Sequence, residues 1–194
     1  MRKFKTKLGL AVASAVFSLN ISAAETVTGN ASVTVLNSFT LAETQALSFG
    51  TLVAIADDLG SNVATATIAA SDGEVTYTSA GEASLTEVSA GQVGIFTITG
   101  AAPNTEIDIT TPSSAATLSD PSNSDTKDFT LNGFTTSVVT SGTAFTFDTD
   151  STGTLVFNLG ATLTTDATLG GSSSSAVAYG DATYTGTFTI AADY

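Results

Sequence analysis

The chain has 194 residues, with 18 acids against 5 bases and no His, Cys or Trp, for a formal net charge of −13 at pH 7. Those absences exclude Ser-His-Asp and Cys-His triads, His-ligated zinc, thiolate metal sites and disulfides, and with them the commonest general base. So acidic a surface repels phosphate backbones and anionic headgroups, which excludes nucleic acid as a partner and argues against docking to an anionic membrane.

Residues 1–24 read as a signal peptide. Arg2, Lys3, Lys5 and Lys7 precede an uncharged apolar stretch from Leu8 to Leu19, and the small residues Ser22, Ala23 and Ala24 precede the first acid, Glu25. A basic start, a short apolar run and a small-residue cleavage site are the marks of export. The run is too short for a membrane-spanning helix, which needs about 20 residues. Cleavage is expected after Ala24, with Ser22 at −3, or alternatively after Ala23. No Cys follows, so a lipoprotein anchor is excluded. The expected location is extracellular or at the cell surface, reached through the periplasm.

Beyond residue 24 lie all 18 acids and a single base, Lys127. Mean hydropathy is +0.30, too apolar for a disordered chain. A chain of this length buries about 70% of its unfolded surface, enough for one core without disulfides. Residues 25–40 are expected to hold an N-terminal strand and residues 41–194 one domain.

Alternation of apolar or β-branched residues with polar ones predicts strands at Thr26–Val35, Ala46–Val53, Val63–Ala69, Glu74–Thr78, Val93–Thr99, Glu106–Thr111, Phe129–Phe134, Ala144–Phe147, Thr154–Thr164 and Tyr184–Ala191. Turn residues separate them: Asp72-Gly73, Gly100–Asn104, Asp120–Asp125, and Gly170-Gly171 with Ser172–Ser175. Many short strands with Gly-, Ser- and Pro-rich turns predict an all-β fold, a single immunoglobulin-like or fimbrial-type antiparallel β-sandwich. An outer-membrane barrel fits less well, because Thr76, Thr78, Thr97 and Thr99 occupy positions that lipid would claim.

The first strand is the most regular. Val27, Gly29, Ala31, Val33 and Val35 share one face, and Thr26, Thr28, Asn30, Ser32 and Thr34 share the other. Small or branched residues at period two suit insertion into an apolar groove, where main-chain bonds supply affinity. The five apolar-face residues are therefore the candidate pairing strand between subunits; the plainer alternative makes them the first strand of their own sandwich.

Catalytic patterns are thin. A glycosidase-like carboxylate pair is open in principle, yet no Trp and few Tyr residues are present to stack on sugar. Asp148-Thr149-Asp150 starts like a calcium loop, but Thr152 stands where a third ligand belongs and Leu159 where the bidentate Glu belongs. Asp57-Asp58 and the group Asp120, Asn123, Asp125 are equally incomplete. A turn explains Asp148–Gly153 at least as well. No enzyme activity, metal or cofactor is expected.

Three segments carry a resemblance: Leu41–Leu52 (LAETQALSFGTL), Gly94–Gly100 (GIFTITG) with Ala102–Thr105 (APNT), and Tyr184–Ile190 (YTGTFTI) running to Tyr194. Together and in this order the chain resembles a family of secreted bacterial β-sandwich proteins whose function is unassigned. That family is similar in layout to fimbrial and spore-coat-U-like pilin subunits. The resemblance implies a structural subunit of an extracellular fibre, pilus or surface coat, assembled as a homo-polymer by strand exchange with the help of periplasmic assembly machinery. The alternative is a secreted or surface binding module that does not polymerise. Residue by residue, the motifs imply core packing by Phe49, Phe96, Ile98, Phe188 and Ile190, with Gly50, Gly100 and Gly186 at turns or close strand approaches.

Overall fold

The computed structural model describes residues 25–35, 38–57, 61–137, 144–167 and 179–194. The expected signal peptide and the Gly170–Ser175 loop lie outside the described residues. Contacts divide the chain between Thr34 and Val35; the fold described next is that of Val35–Tyr194.

Among the described residues this unit is all-β, with no helix. In chain order the strands are β1 (Thr40–Gln45), β2 (Thr51–Ile55), β3 (Thr65–Ile68), β4 (Val75–Thr78), β5 (Ser84–Ser89), β6 (Gly94–Thr99), β7 (Glu106–Thr110), β8 (Ala116–Leu118), β9 (Phe129–Thr136), β10 (Ala144–Asp148), β11 (Leu155–Thr164) and β12 (Ala191–Asp193).

β11 organises the larger sheet. Its first half pairs with β6, its second half with β3 and β9, and β1, β4 and β8 extend those neighbours outward. Leu155, Phe157, Leu159, Ala161 and Leu163 fall at every second position and all are buried, as the strand period requires for one face against a core. Burying a side chain as large as Phe157 contributes about 2–3 kcal/mol. The sheet β10-β7-β12 packs against it, and the pair β2-β5 forms a separate two-stranded sheet. Ile107 and Ile109 of β7 and Phe145 and Phe147 of β10 point inward and belong to the same core cluster as β11. Phe147 stacks on Phe157 with centroids 5.7 Å apart, so the two layers meet face to face as a sandwich.

One irregularity in β9 is needed to keep this core continuous. Phe129 and Leu131 are buried on odd positions, whereas Phe134 and Thr136 are buried on even ones. The switch occurs at Gly133, whose φ is +59°. Opposite it, the register with β11 jumps from Thr135↔Gly160 to Asn132↔Thr162. Gly133 and Phe134 thus oppose Ala161 alone, a β-bulge with a left-handed glycine in its first position. The extra residue re-aims Phe134 at the core.

The Asp148–Gly153 segment is a turn in which Asp150 caps its own backbone. Its Oδ1 accepts from Thr152 N (2.8 Å), Thr152 Oγ1 (2.7 Å) and Thr154 N (2.9 Å). These donors, the Thr152 hydroxyl foremost, hold the carboxyl below its usual range. The neighbouring Thr149 is buried. Its hydroxyl donates to Ala102 O (2.7 Å) and accepts from Thr105 N (2.9 Å), tying this turn to the Gly100–Asn104 turn.

Several expected elements are revised. The expected strand Ala46–Val53 is shortened at its start: Ser48 forms only an isolated bridge to Gln92, and β2 begins after the left-handed Gly50. β1, β5 and β8 were not expected. Residues 25–35 carry no strand assignment. Tyr184–Ala191 is also revised: Thr185 forms a single bridge to Ser119, and the ladder resumes only at β12.

Candidate functional site

The interruption at the C-terminus opens a groove. The segment is pinned at one end, where Ser119 and Thr185 exchange backbone hydrogen bonds of 3.0 and 2.9 Å. It is pinned at the other by the pairing of β12 with β7. Gly186 lies so close to β8 that an added Cβ would overlap the Thr117 carbonyl oxygen, which is why the segment passes there without a side chain. Between the two pins, residues 186–190 carry no ladder. They keep strand-like alternation nonetheless: Phe188 and Ile190 are half-buried while Thr187 and Thr189 are exposed.

Across from this segment, β2 pairs with β5 along one edge and with no other strand among the described residues. The space between β2 and the C-terminal segment is a cleft of about 740 Å³. Thr51–Ala54 line one side, residues 179–186 line the other, and Leu118, Phe129, Leu131 and Leu163 of the larger sheet form the floor. A second cleft of about 400 Å³ continues it past Leu41, Leu47, Phe96 and Ile190. Leu47, Gly186 and Phe188 line both clefts. Phe188 rests on the core there, with its ring centroid 5.1 Å from Phe134 and 6.4 Å from Phe96.

An aromatic cluster closes the wider end. Tyr179 stacks on Phe129 at 4.1 Å, and Tyr184 meets the same ring edge-on at 5.0 Å. The Tyr179 hydroxyl accepts from Asp166 N (2.7 Å) and donates to Asp128 O (3.2 Å). Burial pushes its phenol up, against the Asp166 amide, which favours the phenolate. Glu43 and Asp181 bring the only carboxylates to the groove lining among the described residues. The groove is thus apolar along its floor, and among the described residues neither β2 nor residues 186–190 carry a ladder across it. That combination suits an extended peptide that hydrogen-bonds through its backbone and fills pockets with alternate side chains.

The five residues singled out from sequence lie in the extended stretch 25–35. Val27 is 96% exposed, Val33 86% and Val35 66%, and a Cβ added at Gly29 would meet nothing within 4 Å. All five lack a ladder and none joins the core. The groove itself was missed in the sequence. Its signal was present in the YTGTFTI alternation, but alternation reports which face is buried and not whether an edge is paired. Among the described residues no group of three His, Cys, Asp or Glu side chains converges as a metal site. No helix there is long and apolar enough to cross a membrane.

Among the described residues the fold is an all-β sandwich of several antiparallel sheets with a groove beside its C-terminal segment. The chain belongs to the family described as domain of unknown function DUF4402, which it matches over residues 39–194. No curated protein matches it, and no solved structure does.

Proposed function

We propose that the protein is an exported structural subunit of an extracellular bacterial fibre, pilus or surface coat, assembled by β-strand addition. One observation carries the proposal: a groove floored by apolar side chains lies between β2 and residues 186–190, and among the described residues neither pairs with a strand across it. The complementary part is on the same chain. Residues 26–35 alternate without interruption and keep their apolar row in solvent. An exposed apolar strand and an open apolar groove both gain from burial, at about 25 cal/mol per Å² of apolar surface removed from water. Homo-polymerisation follows when one copy's strand fills the next copy's groove. No chemical step is needed, in keeping with a chain that has no His or Cys and a single Lys beyond residue 7.

A second reading, a surface binding module that does not polymerise, draws on the aromatic cluster of Phe129, Tyr179 and Tyr184 at the wide end of the groove. The two are separated by electron microscopy and mass spectrometry of material sheared from cells that express the protein. Filaments or coats built from it support the proposal, and sheared protein that is monomeric contradicts it.

A further inference from the structure

We infer that the outer face of the larger sheet is an ice-binding surface, built from two rows of paired threonines. Thr65 and Thr67 of β3, Thr162 and Thr164 of β11, and Thr130 and Asn132 of β9 alternate with buried core residues, which turns them to the opposite face. Cross-strand pairing lines them up. The first row is Thr117, Thr130, Thr164, Thr65 and Thr78, one residue from each of β8, β9, β11, β3 and β4, and every step is a register pair. The second row, two residues along each strand, is Asn132, Thr162, Thr67 and Thr76. All of these side chains are exposed or half-buried. The Thr65 and Thr78 hydroxyls hydrogen-bond at 2.6 Å and those of Thr67 and Thr162 at 2.9 Å, so neighbours hold each other in place across the strands.

Threonine is a good strand former, and a single one on an open sheet face needs no ligand. Register and charge go further. Threonine stands opposite threonine or Asn at every step, and no position in either row holds a charge or an aromatic ring, in a chain with 18 acids. The charge lies elsewhere: on the outer face of the sheet β10-β7-β12, Glu106 pairs with Asp148 and Asp108 with Asp193. An uncharged face on so acidic a chain matches an uncharged partner. Without rings it gives sugars no stacking platform. What it presents is a fixed grid of hydroxyl and methyl groups, about 4.8 Å apart from strand to strand and about 6.8 Å apart from row to row. Oxygen atoms recur at closely similar intervals on the prism face of ice. Each hydroxyl brings a donor and two lone pairs to such a lattice, and each methyl fills the space between them. Neighbouring strands twist by about 20–25°, so only a few lie flat on one crystal plane at a time. The action expected of this face is therefore to restrain the growth of ice grains rather than to prevent freezing. The face is separate from the groove between β2 and residues 186–190, so it stands or falls independently of strand addition.

Ice recrystallisation, followed by microscopy just below the melting point, tests this with the full chain. The parent chain should keep ice grains small, and so should Thr146→Lys, a matching change at an exposed position on the acidic face. Thr162→Lys, at the centre of the grid, and Thr76→Lys, at its exposed margin, should let grains coarsen toward the rate in buffer alone. Thr76→Lys should do so at an unchanged melting temperature, which separates loss of ice contact from loss of the fold. Grains that coarsen with the parent chain as they do in buffer would overturn the inference, and so would an equal loss in Thr146→Lys. Retention of the parent chain on insoluble cellulose, with no effect on ice, would overturn it in favour of a polysaccharide surface.

Discussion

Phe188 and Phe134 meet with ring centroids 5.1 Å apart, yet only Phe134 is carried by a strand with a ladder. Phe134 is aimed inward by the bulge at Gly133. Phe188 reaches it from residues 186–190, which hold their place by side-chain packing between two pinned ends. The core of the sandwich is thus covered on one side by a segment that could accept a backbone partner without giving up a side-chain contact.

Replacing Phe188 by Ala should therefore destabilise the fold by about 2 kcal/mol, less than the 3–5 typical of a fully buried Phe. Urea unfolding checks this through the midpoint. No change in midpoint would mean that Phe188 does not cover the core.

Gly133→Ala should cost about 1–2 kcal/mol, because a residue with a Cβ is strained at a φ of +59°. The added Cβ would also meet Thr162 Oγ1 at 3.2 Å. The same denaturant titration reads the loss. Asn132→Ala, one residue earlier and without that φ, is the control.

Stability should fall on the alkaline side through two tyrosines. Burial first, then the 2.9 Å hydrogen bond to Glu87 and its charge, push the Tyr77 phenol up from 10.0 to about 12. Burial pushes Tyr179 up as well. Both folded-state values exceed the unfolded one, so the fold favours the neutral phenol. That contribution is complete below about pH 10 and is lost as pH rises through the folded value. Melting temperature measured from pH 8 to 12 should decline across that window, and Tyr77→Phe should soften the decline. An unchanged profile in Tyr77→Phe would show that Tyr77 contributes nothing to it.

Much of this architecture was legible in the sequence, and the reasons differ by element. β6, β7, β10 and β11 follow from clean alternation such as Phe96 and Ile98 or Ile107 and Ile109, each on a buried face. The turns at Asp72-Gly73 and Asp120–Asp125 follow from side chains that cap their own backbone, as Asp72 Oδ1 does for Glu74 N and Asp120 Oδ1 for Ser122 N. β5 escaped because only Leu85 of its six residues is buried, leaving no period to detect. β8 is three residues long. The N-terminal segment and residues 186–190 read as strands because they have the strand period; what they lack among the described residues is a ladder, and a ladder is a long-range property. Val27 to Val35 were legible as an alternating row, whereas the groove is lined from six separate stretches of chain.

Salt should stabilise the protein by a route that does not depend on the cation. With 18 acids and one base beyond residue 7, self-repulsion is screened by any electrolyte. Sodium chloride and calcium chloride at matched ionic strength should raise the melting temperature alike, and a chelator should leave it unchanged. A melting temperature that collapses in chelator and recovers with calcium alone would contradict this.

The most direct measurement is the assembly state of the chain beginning at Glu25, followed by sedimentation across rising concentration, beside the same chain with Val33→Asp. Val33 is 86% exposed, so the change should leave the monomer's melting temperature where it was. Burying that carboxylate unpaired in a neighbour's groove would cost at least about several kcal/mol. The account predicts polymers from the parent chain and monomers from Val33→Asp, at equal thermal stability. A parent chain that stays monomeric at high concentration, with Val33→Asp merely lowering its own melting temperature, would contradict it.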